Sequence, residues 1–138
     1  MPKPLAKPAA KSTAQSVAKS GAKPAAFPRL RLRLLLAEDV MLGPGKADLL
    51  EGIAATGSIS AAGRRLGMSY KRAWMLVETL NGYFRSPLVF AAPGGKAGGG
   101  ATLTPLGRQV LAHYRAMTAA AERACAKDSA ALRKLRGR

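Results

Sequence analysis

Residues 58–84 read SISAAGRRLGMSYKRAWMLVETLNGYF. Ser58 or Ser60 can cap a short helix, because a serine hydroxyl accepts a hydrogen bond from an otherwise unpaired N–H of the first turn. That helix should end near Leu66, with Gly67 supplying a tight turn. Ser69 is then placed to cap a second helix running to about Tyr83. Ala73, Leu76, Val77 and Leu80 recur at helical spacing and form its inward face. Ala62, Gly63, Gly67 and Ala73 are all small. Two helices that cross steeply through a short turn need small residues where their backbones approach and a glycine at the bend, so this spacing is that of a helix-turn-helix.

Working outward, KADLLEGIAATG (residues 46–57) predicts a preceding helix with Leu49, Leu50, Ile53 and Ala54 on one face. Gly43-Pro44-Gly45 breaks the chain before it, with a proline suited to the first helical turn. Gly57 is a natural C-terminal stop. Upstream of the break, arginine and leucine alternate from Arg29 to Leu34 before the chain turns apolar, which predicts a strand with one basic face. Downstream, PLVF (87–90) and ATLT (101–104) are strand-like runs around a glycine-rich loop and predict a hairpin. Thr104-Pro105 then opens a long helix, with a possible break or restart near Asp128-Ser129. Three helices, a hairpin and a further helix make the expected fold class mainly α with a small β wing. It is a winged helix-turn-helix over residues 27–138, ending in a C-terminal dimerisation helix.

Residues 1–26 differ in kind. They carry five lysines, no acid and almost no large apolar side chains, so they should form a disordered Lys/Ala/Pro-rich tail. Over the whole chain, 23 Lys and Arg against 7 Asp and Glu give a net charge of +16. Such a field attracts polyanions, and double-stranded DNA is the expected partner. Cys125 and His113 are each the sole residue of their type. They cannot supply a zinc ligand set or a nucleophile–base pair with its usual sequence context, so neither an enzyme nor a metal site is expected, and no cofactor. No apolar run of about 18 residues suggests a membrane span, and the N-terminus lacks a secretory apolar region. A cytoplasmic, nucleoid-associated protein is expected.

The loop from Gly94 to Gly100 holds five glycines around Lys96. It is not a nucleotide-binding P-loop, since Ala97 stands where a magnesium-binding Ser or Thr should follow the lysine. As a hairpin tip, Gly95, Gly98 and Gly99 would let backbone N–H groups approach a sugar–phosphate path, and Lys96 would add charge. The N-terminal residues of the second motif helix, Ser69, Tyr70, Lys71 and Arg72, are the expected base readers. Arg64 and Arg65 are expected to meet phosphates. Trp74 either packs in the core under the wing or reaches the DNA backbone. Arg29, Arg31 and Arg33 form either a solvated face or a further phosphate contact. On the last helix, Leu106, Val110, Tyr114, Met117 and Ala121 form an apolar stripe with little domain left to cover, so a second copy is expected to pack there as a homodimer.

Three segments together carry a resemblance: GSIS (57–60), LGMSYKRAW (66–74) and GGKAGGGATLTPLGRQVL (94–111). They resemble the DNA-binding domain of ModE-type molybdate-responsive transcription regulators, within the wider LysR-like winged-helix group, over roughly residues 30–120. The resemblance implies a homodimeric bacterial regulator on a palindromic operator. Members of that family hold molybdate in C-terminal domains beyond the matched region. With the sequence ending at Arg138, a stand-alone DNA-binding form with no molybdate site is expected. The alternative is a nucleoid-type protein that coats DNA with little sequence preference.

Overall fold

A computed structural model describes residues 27–92 and 100–137. Its elements in chain order are β1 (Leu34–Ala37), β2 (Val40–Leu42), α1 (Pro44–Thr56), α2 (Ile59–Arg65), α3 (Tyr70–Tyr83), β3 (Val89–Ala92), β4 (Gly100–Leu103) and α4 (Pro105–Leu135). The described residues are mostly helical, with two separate two-stranded antiparallel sheets among them, β1–β2 and β3–β4. The expectation of a disordered tail falls on residues 1–26, which lie outside the described residues.

α1 starts where expected, with Pro44 at its first position and Gly43 in extended conformation before it. It stops at Gly57, whose φ of 74° is left-handed and whose N–H bonds back to the Ile53 carbonyl at 2.8 Å. Leu49, Leu50 and Ile53 are fully buried, each contributing roughly 1.5–3 kcal/mol of burial. Ala54, expected on the same face, is exposed; Ala47 and Gly52 complete the buried stripe instead. The difference is one of phase. The stripe is set by α2, which comes so close that a Cβ on Gly52 would sit 3.0 Å from the Cβ of Ala62.

The crossing of α2 and α3 follows the small residues. A Cβ on Gly63 would lie 2.8 Å from the Ala73 Cβ, closer than side chains tolerate. Ser58 is the residue that caps α2, its Oγ accepting from the Ala61 N–H at 3.0 Å. The turn closes at Gly67 (φ 73°): its N–H bonds to the Arg64 carbonyl, and the Met68 N–H reaches the Gly63 carbonyl at 2.9 Å. Ser69 then caps α3 by accepting from the Arg72 N–H at 3.1 Å. Ala73, Val77 and Leu80 are buried and Leu76 packs at the edge of the same core.

Two expectations fail upstream and downstream. The alternating Arg29–Leu34 run is not a strand. Its leucines are half-buried and Arg31 and Arg33 exposed, but pairing begins only at Leu34, and the chain doubles back through Glu38-Asp39 into β2. The backbone before Leu34 finds its partners on α4 instead of on a ladder. The Tyr114 hydroxyl donates to the Leu32 carbonyl at 2.7 Å, and the Leu30 N–H donates to Glu122 Oε2 at 3.0 Å. On α4, no break occurs at Asp128-Ser129. The helix runs unbroken from Pro105 to Leu135, with the Ser129 hydroxyl bonded back onto the Cys125 carbonyl at 2.8 Å.

The stripe on α4 divides. Tyr114 is 2 % exposed, and Leu106 and Val110 pack against the same core. These three therefore pack against their own domain, because α1 and the Leu30–Leu32 segment fill the space beside the helix. Arg115 fastens it to α1 through ion pairs with Asp48 (2.9 Å) and Glu51. Burial raises the Tyr114 pKa above its ordinary value, so the neutral hydroxyl that the Leu32 bond requires is the favoured form. Met117 and Ala121 lie further along, Met117 exposed and Ala121 half-buried. Beyond them Leu132 and Leu135 are 67 % and 79 % exposed.

Candidate nucleic-acid interface

α3 stands out from the domain with its buried face against α1 and α2. At about 100° per residue, Lys71, Met75, Glu78 and Gly82 fall on the line opposite Ala73, Val77 and Leu80. All four are exposed. Arg72 and Thr79 flank this line on one side. Tyr70 and Trp74 flank it on the other, toward the β3–β4 hairpin.

The expected base readers are thus brought together at one end of an exposed helix, with differences among them. Lys71 and Arg72 are exposed, and neither belongs to an ion pair among the described residues, where the salt bridges are those of Arg115. Ser69 is exposed and its oxygen accepts the Arg72 N–H, which leaves the hydroxyl proton and a second lone pair for a ligand. Tyr70 is 62 % exposed yet leans toward the hairpin. Its ring meets Trp74 edge-on at 6.2 Å between centroids, and the two border a shallow crevice with Ser58, Ala91, Gly100 and Ala101. Trp74 is half-buried under the hairpin, the first of its two expected placements, and its indole nitrogen is buried without a hydrogen-bond partner among the described residues.

Arg64 and Arg65 end α2 beside this face and are exposed; Arg64 bonds its own helix through Ser60 Oγ at 3.3 Å. Their position at a helix C-terminus satisfies the dipole there and leaves both guanidinium groups at the surface. Arg31 and Arg33 are exposed, while the Arg29 guanidinium stacks over Phe27 at 5.3 Å. The expected contacts of Gly95, Lys96, Gly98 and Gly99 fall on residues 93–99, outside the described residues.

What holds the hairpin beside α3 is a residue the sequence reading missed. Asn81 accepts the N–H groups of Leu88 (2.9 Å) and Val89 (3.0 Å) on Oδ1 and donates Nδ2 to the Val89 carbonyl (3.2 Å). Val89, Ala101 and Leu103 turn inward and Phe90 and Thr102 outward, in register Val89↔Leu103 and Phe90↔Thr102. β4 is tied in turn to the α1–α2 turn by the Ala101 N–H to the Gly57 carbonyl at 2.9 Å. An asparagine near a helix end is a signal for such side-chain-to-backbone bonding, though its target can be far along the chain. Asn81→Ala should strand two N–H groups and cost about 1–3 kcal/mol. Amide exchange should then speed up at Leu88 and Val89 more than in α1; uniform acceleration would mean that Asn81 holds the whole fold and not the hairpin.

Among the described residues no His, Cys, Asp and Glu side chains gather into a metal-holding group, and no helix is long and apolar enough to cross a membrane. The face itself is an exposed helix end with Lys71 and Arg72, two exposed arginines on α2, and a hairpin held alongside.

Comparison with known proteins adds to this geometry. No family profile matches the chain. It is 53 % identical over 78 residues to the molybdenum-pterin-binding protein MopB of Rhodobacter capsulatus, covering 56 % of this chain and 29 % of that protein. It is 41 % identical over 91 residues to the molybdenum transport protein ModE of Azotobacter vinelandii, covering 64 % of this chain and 34 % of the relative. To the DNA-binding transcriptional dual regulator ModE of Escherichia coli it is 40 % identical over 83 residues, covering 60 % and 32 %. The chain thus spans about a third of the length of these curated relatives.

Proposed function

We propose that the chain is a sequence-specific DNA-binding transcription regulator of the ModE type, a winged helix-turn-helix that works as a homodimer on a palindromic operator. The observation that carries this reading is the exposed N-terminal end of α3, where Lys71 and Arg72 have no ionic partners among the described residues and Arg64 and Arg65 are exposed on α2. Helices of this kind place their N-terminal residues against base edges in the major groove, while neighbouring cations grip phosphate. The β3–β4 hairpin is the wing. The names of the similar proteins support both the DNA partner and a regulon tied to molybdenum.

The dimer contact lies on the distal part of α4 and the β1–β2 hairpin. Met117, Leu132 and Leu135 on the one, and Leu35 and Leu36 on the other, are exposed large apolar side chains that a monomer gains nothing by presenting to water. Residues 1–26 act as a basic tail that grips phosphates without reading sequence.

Selection of bound duplexes from a random pool, with and without residues 1–26, tests the proposal. Enrichment of one inverted repeat by both forms is the expected result, with the shorter form binding every sequence more weakly and with a shallower salt dependence. Strong binding with no enrichment would replace the regulator by a protein that coats DNA. Site-specific proteins prefer their operators by about 10³ or more, a margin such a selection detects readily.

A further inference from the structure

The outward line of α3 contains a residue that a phosphate-binding surface does not explain. Met75 is 53 % exposed, one helical turn beyond Lys71, although the apolar residues of the opposite face are buried. It has no core to fill. Its neighbour at i+4, Thr79, turns its hydroxyl back onto the Met75 carbonyl at 2.9 Å and so presents chiefly its methyl group outward. Met75 and Thr79 make an apolar spot on an otherwise cationic helix end. Three residues on from Met75 the same line carries the carboxylate of Glu78, which is exposed.

A thioether offers phosphate neither charge nor a donor, and a carboxylate is repelled by it. If this turn of α3 lay along a DNA strand's backbone, both residues would oppose binding. They suit the floor of the major groove, where the group that rewards apolar contact is the 5-methyl of thymine, and where a carboxylate can accept from the amino group of cytosine. Resting on the DNA-binding reading above, we propose that Met75 is a specificity-determining residue that reads a thymine methyl group one helical turn deeper into the site than the contact of Lys71.

The methyl itself can be removed without disturbing base pairing, by replacing each thymine of the selected operator in turn with deoxyuridine. Binding is then measured for the full chain and for Met75→Ala. At one position in each half-site the substitution should weaken the unaltered protein about fourfold, the transfer free energy of one methyl group expressed as a ratio. Met75→Ala should bind the thymine and deoxyuridine operators equally there. Two outcomes overturn the proposal while leaving the regulator reading intact: indifference of the unaltered protein at every thymine, or an equal loss for Met75→Ala on both duplexes with the fourfold preference kept. The second outcome would assign Met75 to packing or to contact between copies. Failure of any operator to emerge from the selection would sink the regulator reading first, and this proposal with it.

Discussion

Gly107→Ala should cost the fold about 3 kcal/mol or more, the upper end of what overpacking does. Gly107 is buried in the first turn of α4, where the helix runs directly onto the backbone before β3. A Cβ built there overlaps the Leu88 carbonyl oxygen and lies 3.0 Å from its carbon and 3.2 Å from its Cα. None of these atoms belongs to a flexible side chain that could swing away. The Leu88 carbonyl is also held, accepting the Thr104 N–H at 2.9 Å, and Thr104 bonds Pro87 through its hydroxyl at 2.8 Å. Relief therefore requires α4 to lift from the hairpin. Chemical denaturation of Gly107→Ala beside Gly82→Ala checks the argument. Gly82 lies in α3 with open space around a built Cβ, so alanine there should leave stability unchanged or raise it by up to about 1 kcal/mol. Equal behaviour of the two variants would refute the close-approach account.

Lys71→Ala should lower operator affinity by about 1–3 kcal/mol while changing affinity for random DNA far less. The lysine begins the outward line of α3, where a base contact is favoured over a phosphate contact. Arg64→Ala combined with Arg65→Ala should behave differently, weakening all sequences alike and reducing the slope of log affinity against log salt by about 2. Tyr70→Ala belongs between the two, because its ring leans toward the hairpin and Trp74 and away from the outward line. Titration of each variant against operator and scrambled duplex at several salt concentrations separates these effects. A uniform loss for Lys71→Ala would move that residue to the phosphate-contacting group.

Much of the helical scaffold was legible in the residues. Serines at 58 and 69, glycines at 57 and 67 and prolines at 44 and 105 act on the chain within a turn or two of themselves, so their effects do not depend on distant packing. Small residues at 63 and 73 announced the crossing of α2 and α3 because close approach excludes anything larger, whereas Ala62 proved to face Gly52 of α1. The cap at Ser69 acts as locally, and it puts four consecutive residues, Ser69 to Arg72, at one exposed helix end. Asn81 and Arg115 were not legible, since each acts on a partner whose position depends on the whole fold, 7 and 8 residues away for Asn81 and 64 and 67 for Arg115.

The clearest division runs along α4 and the arginine–leucine run. Periodicity by itself determined that Leu106, Val110, Tyr114, Met117 and Ala121 share a face, and that arginines and leucines alternate from Arg29. It could not say what either pattern meets. The tertiary structure decided that Tyr114 is covered within the chain and bonds Leu32, that the alternating run lies along a helix instead of in a sheet, and that the apolar face becomes free only toward Leu132 and Leu135. The reason is physical. A repeat of side chains sets which face of an element must leave water, whereas the identity of the covering surface follows from where α1 and the N-terminal segment come to rest, and that placement is a property of the packed domain.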